Sequence, residues 1–346
     1  MNVWIAMLLG LVQGLCEFLP VSSSGHLLLI QKLFGITEGA LFFTVMLHLA
    51  TLIAVFIVYW DTIVELIKKP FQKTVGLLIV ATIPAIAVAV LFKKVPFLEQ
   101  FSAAADAGQY LGFCFLLTSL FLLISDNIHK TRVDEFGNKV PFKGKKLKNM
   151  GVGDALVIGC MQGVGVLPGV SRSGSTISGA LFVGLNRKTA ADFSFLMSIP
   201  AIIGGAVFEI PDAIATGMAG LHWTSLVAGM LVAGMTGYFA IKIMLNAIKK
   251  KKLWGFAAYT AVLGILVIER RPGALPAALG QLLLSLFELT LNTLSFVRVG
   301  AFALAHAALS LAIMTLAEGL DHPLAKLLML VLGNLFVLAL ETLLVY

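Results

Sequence analysis

Eight apolar runs divide this chain, at residues 41–60, 75–92, 108–125, 190–208, 223–245, 253–268, 278–317 and 324–346. Most are near the roughly 20 residues that an α-helix needs to cross the hydrocarbon core of a bilayer. At that depth only helices and closed barrels pair every backbone N–H and C=O, and runs this long and continuous predict helices. Charged residues are only 12% of the 346, against about 25% in soluble domains. The predicted fold class is therefore an all-α integral membrane protein, a polytopic helical bundle. The N-terminal "MNVWIAMLLGLVQG" lacks a basic n-region and a small-residue cleavage motif, and is read as retained. Cys16, Cys114 and Cys160 lie in apolar segments without a C-x-x-C pair and are read as small buried hydrophobes.

The net charge of +7 does not point to nucleic acid, because the cations are segregated into a few loops between apolar runs. In a membrane protein that pattern reports orientation. Loops 61–74 and 126–150 and the block Lys249 to Lys252 are predicted to be cytoplasmic. The intervening loops are neutral or acidic, with Glu99 and Asp106 in one and Glu209 and Asp212 in another, and are predicted to face outward. This alternation leaves residues 151–186 entering and leaving on one face. Residues 1–36 are too short and too interrupted for two spans and pose the same problem from the other face. Both segments are predicted to be re-entrant helical hairpins.

The two segments also match in sequence. "QGLCEFLPVSSSGH" (13–26) aligns with "QGVGVLPGVSRSGS" (162–175), with Gln13-Gly14 on Gln162-Gly163 and Val21 to Gly25 on Val170 to Gly174, both at an offset of 149 residues (13 to 162, 21 to 170). The reading is an inverted-topology internal repeat, with halves of about 1–125 and 151–268 around the basic loop 126–150. Two broken hairpins then meet near the midplane, an arrangement tolerated where irregular backbone lines a cavity.

Pro20 and Gly25 in the first hairpin, and Pro168, Gly169 and Gly174 in the second, are predicted to break the helices. The helix that restarts after each break offers unpaired N–H groups to an anion. Ser22, Ser23 and Ser24 facing Ser171, Ser173 and Thr176 add hydroxyl donors, and Arg172 adds a cation whose fork fits phosphate oxygens. Glu17 and His26 supply groups for proton transfer. Gln13 lies one helical turn before Glu17, on the same face. Single serines in membrane helices often bond only their own backbone, a lone histidine can be a packing contact, and Arg172 with Glu17 can be a structural ion pair. Their concentration at matching points of a repeat favours a phosphate site.

These motifs, with "AADFSFLMSIP" (190–200) after the second, resemble the undecaprenyl-pyrophosphate phosphatases of bacteria, the bacitracin-resistance family, over residues 1–268. The resemblance implies removal of the terminal phosphate from undecaprenyl pyrophosphate, which recycles the lipid carrier for peptidoglycan synthesis, in the bacterial plasma membrane. It places catalytic roles on Glu17, Ser23, His26 and Arg172. Pyrophosphate binding falls on Gln13, Ser22, Ser24, Gly25, Ser171, Arg172, Ser173, Gly174 and Thr176. Glu17 is a candidate ligand for Mg2+ or Ca2+, although Gln13 stands where the family often has a second glutamate. No organic cofactor is expected. The expected partners are a polyprenyl pyrophosphate and the bilayer, with a homodimer as a candidate assembly and the pocket open to the outer face. The nucleophile is either Ser23 or a water.

Two other readings share parts of the pattern. Acid-phosphatase-like lipid phosphatases also use Ser-Gly-His and Ser-Arg motifs, but need a second histidine soon after the arginine, and the next one here is His222. A transporter or flippase for a phosphorylated lipid would use the same broken helices. After the polar linker at 269–277, "FELTLNTLSFVRVGAFALAHAALSLAIMTLAE" (287–318) and "GNLFVLALETLLVY" (333–346) resemble the last membrane helices of subunit a/I of V-type ATPases. In that family an arginine matching Arg298 serves ion release at the proteolipid ring. The rest of that subunit is absent, so 278–346 is expected to be an appended helical pair in which Arg298, Glu288 and His306 pump no ions.

Overall fold

The computed structural model describes residues 1–36, 39–128, 131–133, 139–141, 144–215, 221–249, 253–269 and 305–345. They divide into two compact units, Met1–Leu275 and Pro276–Tyr346.

The first unit begins with two short helices, α1 (Val3–Phe18) and α2 (Ser23–Leu33), followed by α3 (Ala40–Val58), α4 (Trp60–Lys68), α5 (Lys73–Lys94), α6 (Pro96–Asp106) and α7 (Leu111–Asn127). After the basic loop come a second short pair, α8 (Val152–Val164) and α9 (Arg172–Phe182), then α10 (Arg187–Ala215), α11 (Trp223–Lys249) and α12 (Leu253–Glu269). α3, α5, α10 and α11 are long and apolar enough to cross a membrane, and occupy four of the runs expected to do so. α6 and α7 form a bent pair with a 91° angle. α1, α2, α8 and α9 have 16, 11, 13 and 11 residues, all short of a full span. The basic loop departs from the all-helical expectation: Thr131–Val133 and Lys139–Pro141 pair as a small antiparallel ribbon (β1 and β2) with Arg132 opposite Val140.

Packing runs crosswise between the first and second parts of this unit. α1 lies along α11 and α8 along α5, while α7 packs on α12 and α3 on α10 and α11. Glycine makes the first two contacts close. A Cβ on Gly10 would stand 2.2 Å from the Gly229 carbonyl oxygen, and one on Gly159 would stand 2.3 Å from that of Ala81. Gly14 and Gly163, one turn on in each helix, meet Thr236 of α11 and Val88 of α5 in the same way. Small residues at this spacing let backbones approach where no hydrophobic force between helices is available in lipid.

The largest apolar cluster draws on Phe18, Ile158, Ile177, Phe193 and Met244, with Phe18 edge-on to Phe195 at 5.8 Å between ring centroids. Large apolar side chains such as Ile53, Ile57, Leu231 and Phe239 instead face outward on the long helices. In water that belt would be a liability, and in a bilayer it is the wetted surface. Of the three cysteines, Cys114 is buried and Cys16 half-buried, but Cys160 is exposed, so the expectation of burial fails there: it lies on the outer face of α8.

In the second unit the described helices are α13 (Ala305–Glu318) and α14 (Pro323–Val345). A Cβ on Gly333 would stand 2.7 Å from a methyl carbon of Ile313. Arg298 and Glu288 lie outside the described residues.

Replacing Gly10 by valine should destabilise the protein by about 2–3 kcal/mol through overpacking. The control is Gly76→Ala, at a site in α5 with open space around it, which should leave the thermal midpoint in detergent unchanged or slightly raised. Equal midpoints for the two variants would contradict the close α1–α11 contact.

Candidate active site

α1 ends where Leu19, Pro20 and Val21 leave the helix, and the chain restarts at Ser23. Ser22 makes the turn with φ 72°, unusual for a residue with a side chain. Its hydroxyl caps α2 by accepting the Gly25 N–H at 3.3 Å. In the second pair, Gly169 takes the left-handed turn at φ 93°, and Ser171 caps α9 by accepting the Gly174 N–H at 3.1 Å. Serine caps satisfy one of the donors that a helix start leaves open. Gly25 and Gly174 do not break helices as expected. They sit in the first turns of α2 and α9, where a missing Cβ lets the turns touch: a Cβ on Gly25 would lie 2.9 Å from the Gly169 Cα, and one on Gly174 would lie 3.3 Å from the Pro20 Cβ.

The contact between the pairs centres on Glu17, which is 6% exposed. One carboxylate oxygen accepts from Arg172 Nη2. The other accepts from Ser23 Oγ at 2.6 Å and from Gln13 Nε2 at 3.0 Å. Arg172 Nη1 donates to the Ser198 carbonyl of α10 at 3.3 Å. Ser173 Oγ donates to the Leu19 carbonyl at 3.2 Å, tying α9 to the first turn. Thr176 Oγ1 bonds Ser194 Oγ of α10, so that hydroxyl braces helices.

A cavity of about 370 Å³ opens at this contact. Its polar lining includes Glu17, Ser23, Ser24, Ser171 and Arg172, and its apolar walls include Ala85, Ile86, Ile202 and Phe208. Gln13, Ser22, Gly25, Ser173, Gly174 and Thr176 stand behind this lining rather than in it. His26 also lies outside. Its Nδ1–H donates to the Ser22 carbonyl at 2.6 Å, and in the neutral ring Nε2 accepts from the Tyr259 hydroxyl of α12 at 2.7 Å. The ring also stacks on Tyr259 with an interplanar angle of 8°. Histidine and tyrosine together hold the strained turn that presents Ser23.

Several residues at the site were not identified from sequence. His48 of α3 lines the cavity with its Nε2 3.6 Å from Glu17 Oε2, and its Nδ1–H is committed to the Thr44 carbonyl at 2.8 Å. The signal was present, because an ionisable residue inside a membrane run is seldom incidental. Thr118 of α7 accepts the Ser171 N–H at 3.0 Å, and its one hydroxyl proton lies between the Cys114 carbonyl at 3.0 Å and the Gly169 carbonyl at 3.3 Å, which ties the second turn to α7. Asp106 and Glu209 also line the cavity. Nothing in their spacing relates them to Glu17.

Glu17 and its neighbours do not by themselves make an all-protein cage for a resident Mg2+ or Ca2+. The Glu17 oxygens already accept from Arg172, Ser23 and Gln13, and among the described residues no three His, Cys, Asp or Glu side chains converge. Ca2+ takes six to eight oxygen ligands, whereas Mg2+ is usually held by one or two carboxylates with water and substrate phosphates making up the rest, so the protein side chains alone do not form a closed cation cage here.

The fold and cavity define a polytopic helical membrane protein with a buried, charged polar site between two broken helix pairs. The chain belongs to the family described as bacitracin resistance protein BacA, whose model matches residues 6–266. It is 41% identical over 270 residues to an undecaprenyl-diphosphatase of Carboxydothermus hydrogenoformans, covering 78% of this chain and 97% of that relative. An undecaprenyl-diphosphatase of Alkaliphilus metalliredigens is 39% identical over 287 residues, covering 78% and 98%. Undecaprenyl-diphosphatase 4 of Bacillus thuringiensis subsp. konkukian is 42% identical over 268 residues, covering 78% and 97%.

Glu17→Ala should destabilise the protein by about 3–5 kcal/mol, because it leaves the Arg172 guanidinium without its carboxylate. Arg172→Ala in the same background should recover part of that loss, read as a coupling energy in a double-mutant cycle of thermal midpoints. Strict additivity would mean that the two side chains do not interact.

Proposed function

We propose that this chain is an undecaprenyl-diphosphatase, hydrolysing undecaprenyl pyrophosphate to undecaprenyl phosphate and inorganic phosphate. The observation that carries the reading is the contact of Ser23, Glu17 and Arg172 at the wall of a cavity, in a chain whose relatives bear that name. Apolar walls suit the first isoprene units, and the polar end suits the two phosphates.

In the proposed reaction Ser23 Oγ attacks the terminal phosphorus while its proton passes to Glu17 Oε2. The bond from that phosphorus to the bridging oxygen breaks, and undecaprenyl phosphate leaves. Water then hydrolyses the phosphoserine, Glu17 returns the proton to Ser23, and inorganic phosphate is released. Phosphoryl transfer asks little of a base, because its transition state is loose and catalysis is mainly positioning and charge stabilisation. Protonating Glu17 weakens its hold on Arg172, so the guanidinium becomes available to the phosphoryl oxygens as their charge rearranges. Hydroxyls of Ser24 and Ser171 and the N–H groups opening α2 and α9 complete the cradle. His26 acts on the turn through the Ser22 carbonyl. Any Mg2+ or Ca2+ requirement is assigned to a cation carried by the pyrophosphate.

The inverted repeat with two re-entrant hairpins is part of this proposal. It is supported by the shortness of α1, α2, α8 and α9, by matching serine caps, and by the crosswise packing of α1 on α11 and α8 on α5. An outward-facing pocket is supported by the distribution of lysine and arginine among the loops. For residues 278–346 we retain the resemblance to V-type ATPase subunit a/I as an appendage without ion transport; the family match ends at residue 266.

Purified protein in detergent should release inorganic phosphate from undecaprenyl pyrophosphate, and Ser23→Ala, Glu17→Ala and Arg172→Ala should each lower turnover by at least about 100-fold. Lipid binding without phosphate release would point to a transporter instead. Deleting residues 272–346 should leave turnover within about twofold of the full chain, a comparison in which a large loss would give the appendage a functional role.

A further inference from the structure

Gln162 is a polar side chain that the proposed reaction leaves unused. It stands in the last turn of α8, is 3% exposed, and lines the same cavity as Glu17, Ser23 and Arg172. Neither the nitrogen nor the oxygen of its amide has a hydrogen-bond partner among the described residues. An unpaired amide is expensive away from water, and leucine or methionine would fill the space without that penalty. An amide at a cavity wall with no partner among the described residues is free to bind a ligand.

Its counterpart at the 149-residue offset (13 to 162) sharpens the point. Gln13 donates its Nε2 to Glu17, four residues on, at 3.0 Å. Four residues after Gln162 stands Val166, whose side chain offers no acceptor. The backbone at the end of α8 also comes close to that of Arg172. A Cβ on Gly165 would lie 2.9 Å from the Arg172 Cα and 3.1 Å from the Gln162 carbonyl oxygen, so the end of α8 and the start of α9 meet around a glycine.

We propose that Gln162 is a substrate-binding residue whose Nε2 donates to a pyrophosphate oxygen beside Arg172, an inference that rests on the diphosphatase reading. A neutral donor suits this place. Arg172 already shares its charge with Glu17, and Asp106 and Glu209 add two carboxylates to the lining. A second cation here would be drawn to those carboxylates, whereas an amide holds an oxyanion without competing for them.

The test is a kinetic comparison of full-length wild type, Gln162→Leu and Gln162→Glu in detergent, measuring phosphate release against undecaprenyl pyrophosphate concentration. Wild-type turnover establishes the underlying reaction, so its absence would fail that reading and not the binding role. The leucine variant, unable to donate, should raise KM about 10- to 100-fold with kcat within about threefold, the size of a lost hydrogen bond to a charged group. The glutamate variant should raise KM further by repelling the phosphates. Inorganic pyrophosphate should inhibit both variants more weakly than wild type. A leucine variant with wild-type melting and wild-type KM overturns the proposal, as does one whose only defect is a lower melting temperature. Should leucine not fold, Gln162→Met, of nearly the same length, is read by the same criteria.

Discussion

The approach of Glu17 to Arg172 is the interaction on which the rest of the structure turns. Each charge comes from a different broken helix pair, and each sits where solvation by water is poor. Alone, either would be strongly unfavourable at that depth. Together they require α1 to end, and α9 to begin, at one point in space. The serine caps, the positive φ of Ser22 and the glycine turn at Gly169 fit that requirement, because one helix must end and another begin within a few residues of the contact.

Backbone proximity does the remaining work. Gly10 and Gly159 bring α1 and α8 against helices from the other part of the chain, and Gly25 and Gly174 let the two turns touch. Hydrophobic attraction between helices is weak in lipid, so close packing and buried polar bonds carry the tertiary structure. That explains how a polar network of Gln13, Glu17, Ser23 and Arg172 can coexist with a belt of outward apolar side chains. It also fits a site whose groups are arranged before substrate arrives, which is where most catalytic stabilisation of a phosphoryl transfer lies.

The two histidines show how chemistry depends on direction as well as presence. His26 is beside the serines in sequence, yet its ring turns to the Ser22 carbonyl and Tyr259. His48, in a run that reads as simple membrane helix, presents Nε2 to Glu17 because Thr44 fixes the other nitrogen. The ring nearest the motif serves the turn, and the distant one faces the cavity.

The long runs, the charge segregation and the offset match between Gln13 to Gly25 and Gln162 to Gly174 were all legible in sequence, because span length and periodic motifs are local properties. They determined by themselves that this is a helical membrane protein with two unusual polar segments, and they named Glu17, Ser23 and Arg172. Only the tertiary structure decided that those three touch, that Gly25 and Gly174 are contact points within helices, and that His48 and Gln162 share the cavity. The physical reason is that orientation and hydrogen-bond partnership are set by helices far apart in the chain. A residue's neighbours in sequence fix which helix it rides on, but the packing of α3, α8, α10 and α12 fixes what its side chain meets.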